Sequence, residues 1–547
     1  MKRLYFLITV CIYLFLFAFI SQVDPCTSLL VSKGASEDGA VMITYTCDGE
    51  FHSHLEYTLA ADHKPGDSLE IRDWSGKVRG KIKQVPHTYA VVGLMNEHQL
   101  TIGETTFDGR EELQNPEGLL HYWDLIQLAL ELAKTAREAI KVITELMADY
   151  GYRSTGESFS IADTKEAWIL EMIGPGKGGK GAEWVALRIP DGYISCHANK
   201  SRIGEFPLKD PKNCLYSENV ISFAVEKGYY DPKSGKPFRF CDAYCPADAK
   251  NKRLADTRVW SIFRRAAPSQ NFSPDYHRGI EGAKPYPLWI KPDRKLSVKD
   301  VFALMRDHYE GTPYDLTKGI DAGPYGNPNR SRPITWMVDS VEYGWERPIS
   351  TPQTAFSFVS QSRSWLPDPI GGVLWYGLDD TYTSCYIPFY CGIDTVPKSF
   401  TVGSLNKFSW ESAWWVFNFV ANYANLKYSY MLPEIQAVQK DIEGNFLSLQ
   451  PTMEKTALEL EKKDQKLLTR YLTDYSVENA EMVVSRWKEL GEHLVTKYND
   501  GYVQDETGEP EEKGYPDNWL REVLKSNPDQ FRLKPKRADM PEWEPKD

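Results

Sequence analysis

Val23-Asp24-Pro25-Cys26-Thr27-Ser28-Leu29-Leu30-Val31 separates two kinds of sequence. Before it, Lys2 and Arg3 precede an unbroken apolar run over residues 4–20, the layout of a secretory signal. After it the chain reads as folded. The run is a little short for a span of about 20 residues, so an uncleaved membrane anchor is the weaker reading. No clean small-x-small pattern precedes Cys26. A signal-peptidase cut near Ser21 would leave a short pro-segment, residues 22–25, to be removed by a second protease or autocatalytically. Removal through Pro25 would make Cys26 the first residue of the mature chain, so that a thiol and a free α-amine share one residue. An α-amine has a pKa of about 7.7–8.0 and is partly neutral near pH 7, so it can take the thiol proton and later return it to a leaving amine. An internal cysteine gains nothing from this. The competing reading is an ordinary cysteine near a trimmed terminus.

The chain has 547 residues, more than one core accommodates, so two or more structural units are expected. The formal net charge of -12 offers no basic face and argues against a nucleic-acid partner. No second apolar stretch is long enough to cross a bilayer, so membrane contact is expected only through the leader, with the mature protein periplasmic or extracellular. There are nine cysteines. Export permits disulfides, and Cys241/Cys245 and Cys385/Cys391 are the pairs easiest to imagine bridged. Neither has the spacing of a zinc knuckle or a thioredoxin site, and no His cluster accompanies them.

The pattern beyond Cys26 predicts a strand over 26–32, a turn at 33–39 and a strand over 41–45, a hairpin with the thiol at its free end. A second strand pair is expected over 88–94 and 100–106. Helices follow over 119–134 and 136–150, the second opened by a Thr135/Glu138 capping box and closed by Gly151. Strands return over 159–162 and 167–173, then 184–189 and 193–198, the last two expected as a hairpin about Pro190-Asp191-Gly192. Strands, two helices and strands again suit a layered α+β fold rather than an alternating parallel sheet. Residues 199–318 are irregular, with helices expected over 254–267 and 298–309. Late strands are expected over 335–340, 355–361, 372–377 and 384–389. From about residue 401 the chain becomes mainly helical.

Several segments resemble the secreted cysteine dipeptidases of the penicillin-acylase/bile-salt-hydrolase-like branch of N-terminal-nucleophile (Ntn) hydrolases. Cys26-Thr27-Ser28-Leu29-Leu30-Val31-Ser32-Lys33-Gly34-Ala35-Ser36-Glu37-Asp38-Gly39 is similar to the start of their mature chains. Met95-Asn96-Glu97-His98 with Gly103-Glu104-Thr105-Thr106, Ser158-Phe159-Ser160-Ile161-Ala162-Asp163, residues 193–203, Arg347-Pro348-Ile349-Ser350 and residues 356–363 extend the likeness to about residue 393. The resemblance implies a four-layer αββα sandwich over 26–400 behind a 1–25 leader and pro-segment, with 401–547 as a helical extension. It implies hydrolysis of dipeptides through Cys26, without metal or organic cofactor. Asp48 matches the acid that holds the nucleophile's α-amine, and Asn199 an asparagine that donates to the oxyanion. Thr106 falls where relatives place a second oxyanion or substrate contact, and Glu104 could meet a substrate ammonium. The arginine expected three positions before Asp48 is replaced by Tyr45. Arg258 has no assigned place. A homo-oligomer is compatible with the sequence.

Other chemistries remain open at this point. One is an amidase of non-peptide acyl amides on the same fold. Another is a papain-type pair using His54, His98 or His197, although no cysteine carries the local signature. A third is a lipid-anchored binding protein acylated at Cys26, although Val-Asp-Pro is a poor lipoprotein processing site.

Overall fold

The computed structural model describes residues 26–533 except 247, 249, 250, 527 and 529; the leader, the Pro25–Cys26 junction and residues 534–547 lie outside the described residues. In chain order the strands of the two large sheets are β1 (Ser28–Val31), β2 (Met42–Asp48), β3 (Tyr57–Thr58), β4 (Val91–Val92), β5 (Met95–Asn96), β6 (Thr101–Phe107), β7 (Gly156–Ala162), β8 (Ala167–Ile173), β9 (Glu183–Arg188), β10 (Ile194–His197), β11 (Cys214–Tyr216), β12 (Trp289–Ile290), β13 (Thr354–Gln361), β14 (Val373–Leu378) and β15 (Ile387–Tyr390). One sheet has seven strands in the order β12-β10-β1-β2-β13-β14-β15, and the other has eight in the order β11-β9-β8-β7-β6-β5-β4-β3. Neighbouring strands pair antiparallel, and β1 and β2 form the expected hairpin with Leu30 opposite Ile43.

β1 and β2 pack against β6 and β7 of the other sheet. Gly103 on β6 marks a close approach: a Cβ there would lie 3.0 Å from Tyr45 Cβ and 3.5 Å from Thr44 O. Helices α1 (Tyr122–Leu132) and α2 (Ala136–Tyr150) lie on the eight-stranded sheet. The buried positions of α2, Ala136, Ala139, Ile140, Ile143 and Met147, recur at helical spacing. Thr135 Oγ1 accepts from Glu138 N, as a cap should, but the Glu138 carboxylate takes the N–H of Lys134, one residue outside a standard box. Gly151 ends the helix at φ +78°.

Against the seven-stranded sheet lie α3 (Thr257–Ala266) and α4 (Val298–Met305), then α5 (Ala413–Ala424), α6 (Tyr428–Glu461) and α7 (Gln465–Lys497). The last three cover β14 and β15, and their buried residues join the same apolar core as the strands.

The strands over 184–189 and 193–198 do not form the expected hairpin. β9 is bounded on both edges by β8 and β11, whereas β1 needs a partner on the side away from β2. The turn at Pro190-Asp191-Gly192 therefore carries the chain from one sheet to the other, and β10 pairs with β1, Ser28 opposite His197. The cysteine pairs are thiols as well. Cys385 and Cys391 flank β15, whose four extended residues alone span about 13 Å, beyond disulfide reach. Cys241 Sγ instead lies 3.3 Å from Asp242 Oδ1.

Candidate active site

Cys26 immediately precedes β1. Thr27 and Thr46 exchange N–H···O bonds at 3.4 and 2.9 Å, so the next pair outward, Cys26 and Cys47, faces across the strands without backbone bonds. Such pairs bring side chains close, and the two thiols share a hydrogen bond. Cys26 is 4 % exposed. Its Sγ lies 3.8 Å from both Tyr45 Oη and Glu104 Oε1. The hydrogen bond with Cys47, burial and the nearby Glu104 charge hold the thiol well above its ordinary pKa. A thiol held protonated in this way is a weak nucleophile.

From that sulfur a closed circuit of contacts returns to the backbone of Cys26. Thr106 Oγ1 donates to Glu104 Oε2 at 3.4 Å. Asn199 Nδ2 donates to Thr106 O at 2.7 Å. Arg258 Nη2 donates to Asn199 Oδ1 at 3.0 Å, and its Nη1 donates to Cys26 O at 2.5 Å and Thr27 Oγ1 at 2.9 Å. Cys26, Glu104, Thr106 and Asn199 are thus brought together from the start of β1, from β6 and from the loop after β10. Arg258, which sequence reasoning could not place, closes the ring.

Local structure explains the positions. Asn199 follows β10 at φ +56°, a left-handed conformation that asparagine adopts more readily than most residues. Its side chain points back at the β6 carbonyl. Arg258 enters from the first turn of α3, directly after a π-helical turn, Lys252–Asp256, and its Nε is tied to Leu254 O at 3.0 Å. The guanidinium is fully buried, and burial together with the Arg347 charge lowers it to about 10, still cationic at neutral pH.

Asp48 stands apart from the ring at the end of β2. Arg347 Nη2 meets its Oδ2 at 2.5 Å and Thr354 Oγ1 its Oδ1 at 2.5 Å. Burial raises this carboxyl, while Arg347 and Thr354 oppose the rise. The charges of Asp48 and Arg258 act on each other, and that of Asp48 reaches Cys26.

Three further residues were missed by sequence reasoning. Tyr45, read only as a missing arginine, donates from Oη to Glu104 Oε1. Glu157 on β7 lies opposite Thr106 and is fully buried. Cys47 touches the candidate nucleophile. The available signal was the strand pattern: a glutamate within an otherwise apolar and hydroxylated strand, in Gly103-Glu104-Thr105-Thr106 and again in Gly156-Glu157-Ser158-Phe159, is costly to bury without a task.

The histidine rivals find no role at Cys26. His197 Nδ1 and Nε2 are each 2.7 Å from Thr105 Oγ1 and Ser160 Oγ, bridging the two sheets, and burial lowers its pKa to about 3. His98 lies 3.6 Å from Asp368, and the His54 ring is tilted against that of His52 at 4.9 Å.

A cavity of about 250 Å³ lies beyond the Tyr45 ring, lined by Phe51, Trp123, Phe356 and Tyr376 among others. Tyr45 touches Phe356 edge-on at 5.6 Å and Trp123 at 6.4 Å. The volume falls below the roughly 300–1,000 Å³ typical of sites for drug-sized ligands.

Comparison with known proteins supplies the family. The model of peptidase family C69 matches residues 25–441, beginning one residue before Cys26. A probable dipeptidase of Salmonella dublin is 27% identical over 396 residues, covering 68% of this chain and 82% of that protein. Probable dipeptidase A of Streptococcus pyogenes serotype M3 is 24% identical over 481 residues, 84% of this chain and 93% of that protein. Dipeptidase A of Lactobacillus helveticus is 24% identical over 415 residues, 70% of this chain and 80% of that protein.

Proposed function

The chain belongs to peptidase family C69, and on that premise we propose that it is an exported cysteine dipeptidase of the Ntn class, active once cleavage at Pro25–Cys26 has made Cys26 the N-terminal residue. The observation that carries the reading is the closed ring of Cys26, Glu104, Thr106, Asn199 and Arg258. The names of the relatives supply the dipeptide class. Two sheets in contact, with helices packed on each, support an αββα sandwich as the fold.

In the mature chain the Cys26 α-amine takes the thiol proton, and Sγ attacks the scissile carbonyl. An amide carries two N–H donors; Thr106 O uses one of those on Asn199, and the other serves the oxyanion. Arg258 holds the Cys26 carbonyl and the Asn199 amide in one frame, so nucleophile and oxyanion donor keep their separation. Asp48, fixed by Arg347 and Thr354, supplies the negative charge that favours the protonated α-amine. The α-ammonium returns its proton to the leaving amine, which departs as the C-terminal amino acid. Water, deprotonated by the α-amine, then hydrolyses the thioester and releases the N-terminal amino acid.

The test is intact mass and N-terminal sequencing of the secreted protein, beside Cys26→Ser, on a dipeptide panel. The expected result is a chain starting at unmodified Cys26, with hydrolysis reduced at least about 10⁴-fold in the variant. An active chain that retains Pro25 would sink the reading, as would a diacylglycerol mass increment on Cys26.

A further inference from the structure

Resting on the dipeptidase reading above, we infer that Glu104 and Glu157 together hold the free α-ammonium of the substrate's N-terminal residue, so that an unblocked N-terminus is a condition for cleavage.

The first argument is distance. In an α-aminoacyl residue the nitrogen lies about 2.5 Å from the carbonyl carbon, across two bonds. A carbon poised for attack sits about 3–3.5 Å from the nucleophile. Glu104 Oε1 is 3.8 Å from Cys26 Sγ. These lengths let a substrate whose carbonyl meets the sulfur place its amino nitrogen within hydrogen-bond range of this carboxylate. A nitrogen one or more residues further along a longer peptide would be carried past it.

The second argument is the state of the acids. Both are 0 % exposed. Glu104 is bonded by the Glu157 carboxyl, Tyr45, Thr106 and the Cys26 thiol, none of them a cation. Glu157 has Glu104, Thr106 and Tyr152 beside it, yet no donor meets either of its oxygens in hydrogen-bonding geometry. Buried carboxyl oxygens are rarely left so. The nearby cations are engaged elsewhere, Arg258 on Cys26 O and Asn199 and Arg347 on Asp48. Burial raises both carboxyls, and the Glu104 charge raises Glu157 further. An ammonium offers three donors and one positive charge to a place that has surplus acceptors and surplus acid. Its binding replaces the proton that the pair otherwise retains.

Neutral Tyr45 fits the same picture. A cation in its place would compensate Glu104 and compete with the substrate ammonium, whereas a phenol orients the carboxylate and leaves the charge available.

The experiment measures kcat/KM for the dipeptide cleaved best in a panel, for its N-acetyl form and for its des-amino analogue. The wild-type protein is expected to favour the unblocked dipeptide at least 100-fold over both. Glu157→Gln should shrink that ratio at least tenfold, by losing rate on the unblocked dipeptide alone, and Glu157→Asp should recover part of it. A wild-type protein that cleaves the des-amino analogue as fast as the dipeptide overturns the inference, and this measurement needs no variant. So does a Glu157→Gln protein that loses activity equally on all three substrates. Cys26→Ser separates the two levels. If that variant stays active, the nucleophile reading falls; if it is inactive while the ratio withstands Glu157→Gln, only the ammonium subsite falls.

Discussion

Two groups of buried acids in this molecule are treated in opposite ways. Where α6 meets the seven-stranded sheet, each glutamate has an arginine: Glu443 with Arg306 at 2.5 Å and Glu454 with Arg363 at 2.7 Å. Neutral donors complete them, Tyr386 N on Glu443 and Tyr390 Oη on Glu454, both at 2.9 Å. Around Cys26, Glu104 has neutral donors and Glu157 has none in place. Desolvating a charge is costly in either region. At the helix seam the cost is offset within the chain. Beside Cys26, among the described residues, no arginine or lysine is paired with Glu104 or Glu157.

The largest effect expected from breaking this contrast is at the seam. Glu443→Leu leaves Arg306 buried with only the Thr381 and Ser384 carbonyls as partners. Removing one member of a buried pair costs about 3–5 kcal/mol. Urea unfolding should register that loss, while activity per folded molecule stays within about twofold of wild type. A tenfold fall in activity at unchanged stability would erase the distinction between the two regions.

Asp379, just after β14 and beside α5, is an exception away from Cys26 and sharpens the comparison. Asn418 Nδ2 meets its Oδ1 at 2.8 Å, but its Oδ2 has no partner. Burial raises the carboxyl to about 7 from an ordinary 3.8. A folded-state pKa above the unfolded one means that the folded chain keeps the proton longer, so this group lowers stability progressively as pH rises from about 4 to about 7. Asp379→Asn removes that loss. The gain in stability should approach at most about 4 kcal/mol at pH 8 and vanish near pH 4. Thermal melts of both proteins across that range give the answer, and a pH-independent difference would refute it.

The smallest effect is at Cys47. Its hydrogen bond is the first cause of the high Cys26 pKa. In the mature protein, Cys47→Ala should move the pH midpoint of Cys26 alkylation by iodoacetamide downward. An upward shift would mean that Cys47 stabilises the thiolate.

Much of the site was legible because its residues lie on strands with strong local patterns. The β1–β2 hairpin places Cys26 at its free end, β6 carries Glu104 and Thr106, and Asn199 follows a strand that ends in a polar loop. Arg258 was not legible, because a helix residue 232 positions away reaches the Cys26 carbonyl only through the packing of α3. Glu157 was hidden for a related reason: a single glutamate in a strand looks solvated until both sheet faces are known to be covered. The β9–β10 hairpin failed because a turn motif specifies a reversal but not which sheet the next strand enters.

The sequence by itself determined the elements, the mature start at Cys26 as an expectation, and the family, since apolar periodicity, turn residues and motif spacing are local properties. Tertiary structure alone decided which strand completes β1, that Arg258 holds the Cys26 carbonyl, that Arg347 pairs with Asp48, and that Glu104 and Glu157 are buried on neighbouring strands. Those outcomes depend on long-range burial, which changes what a charged side chain costs and which partners remain within reach.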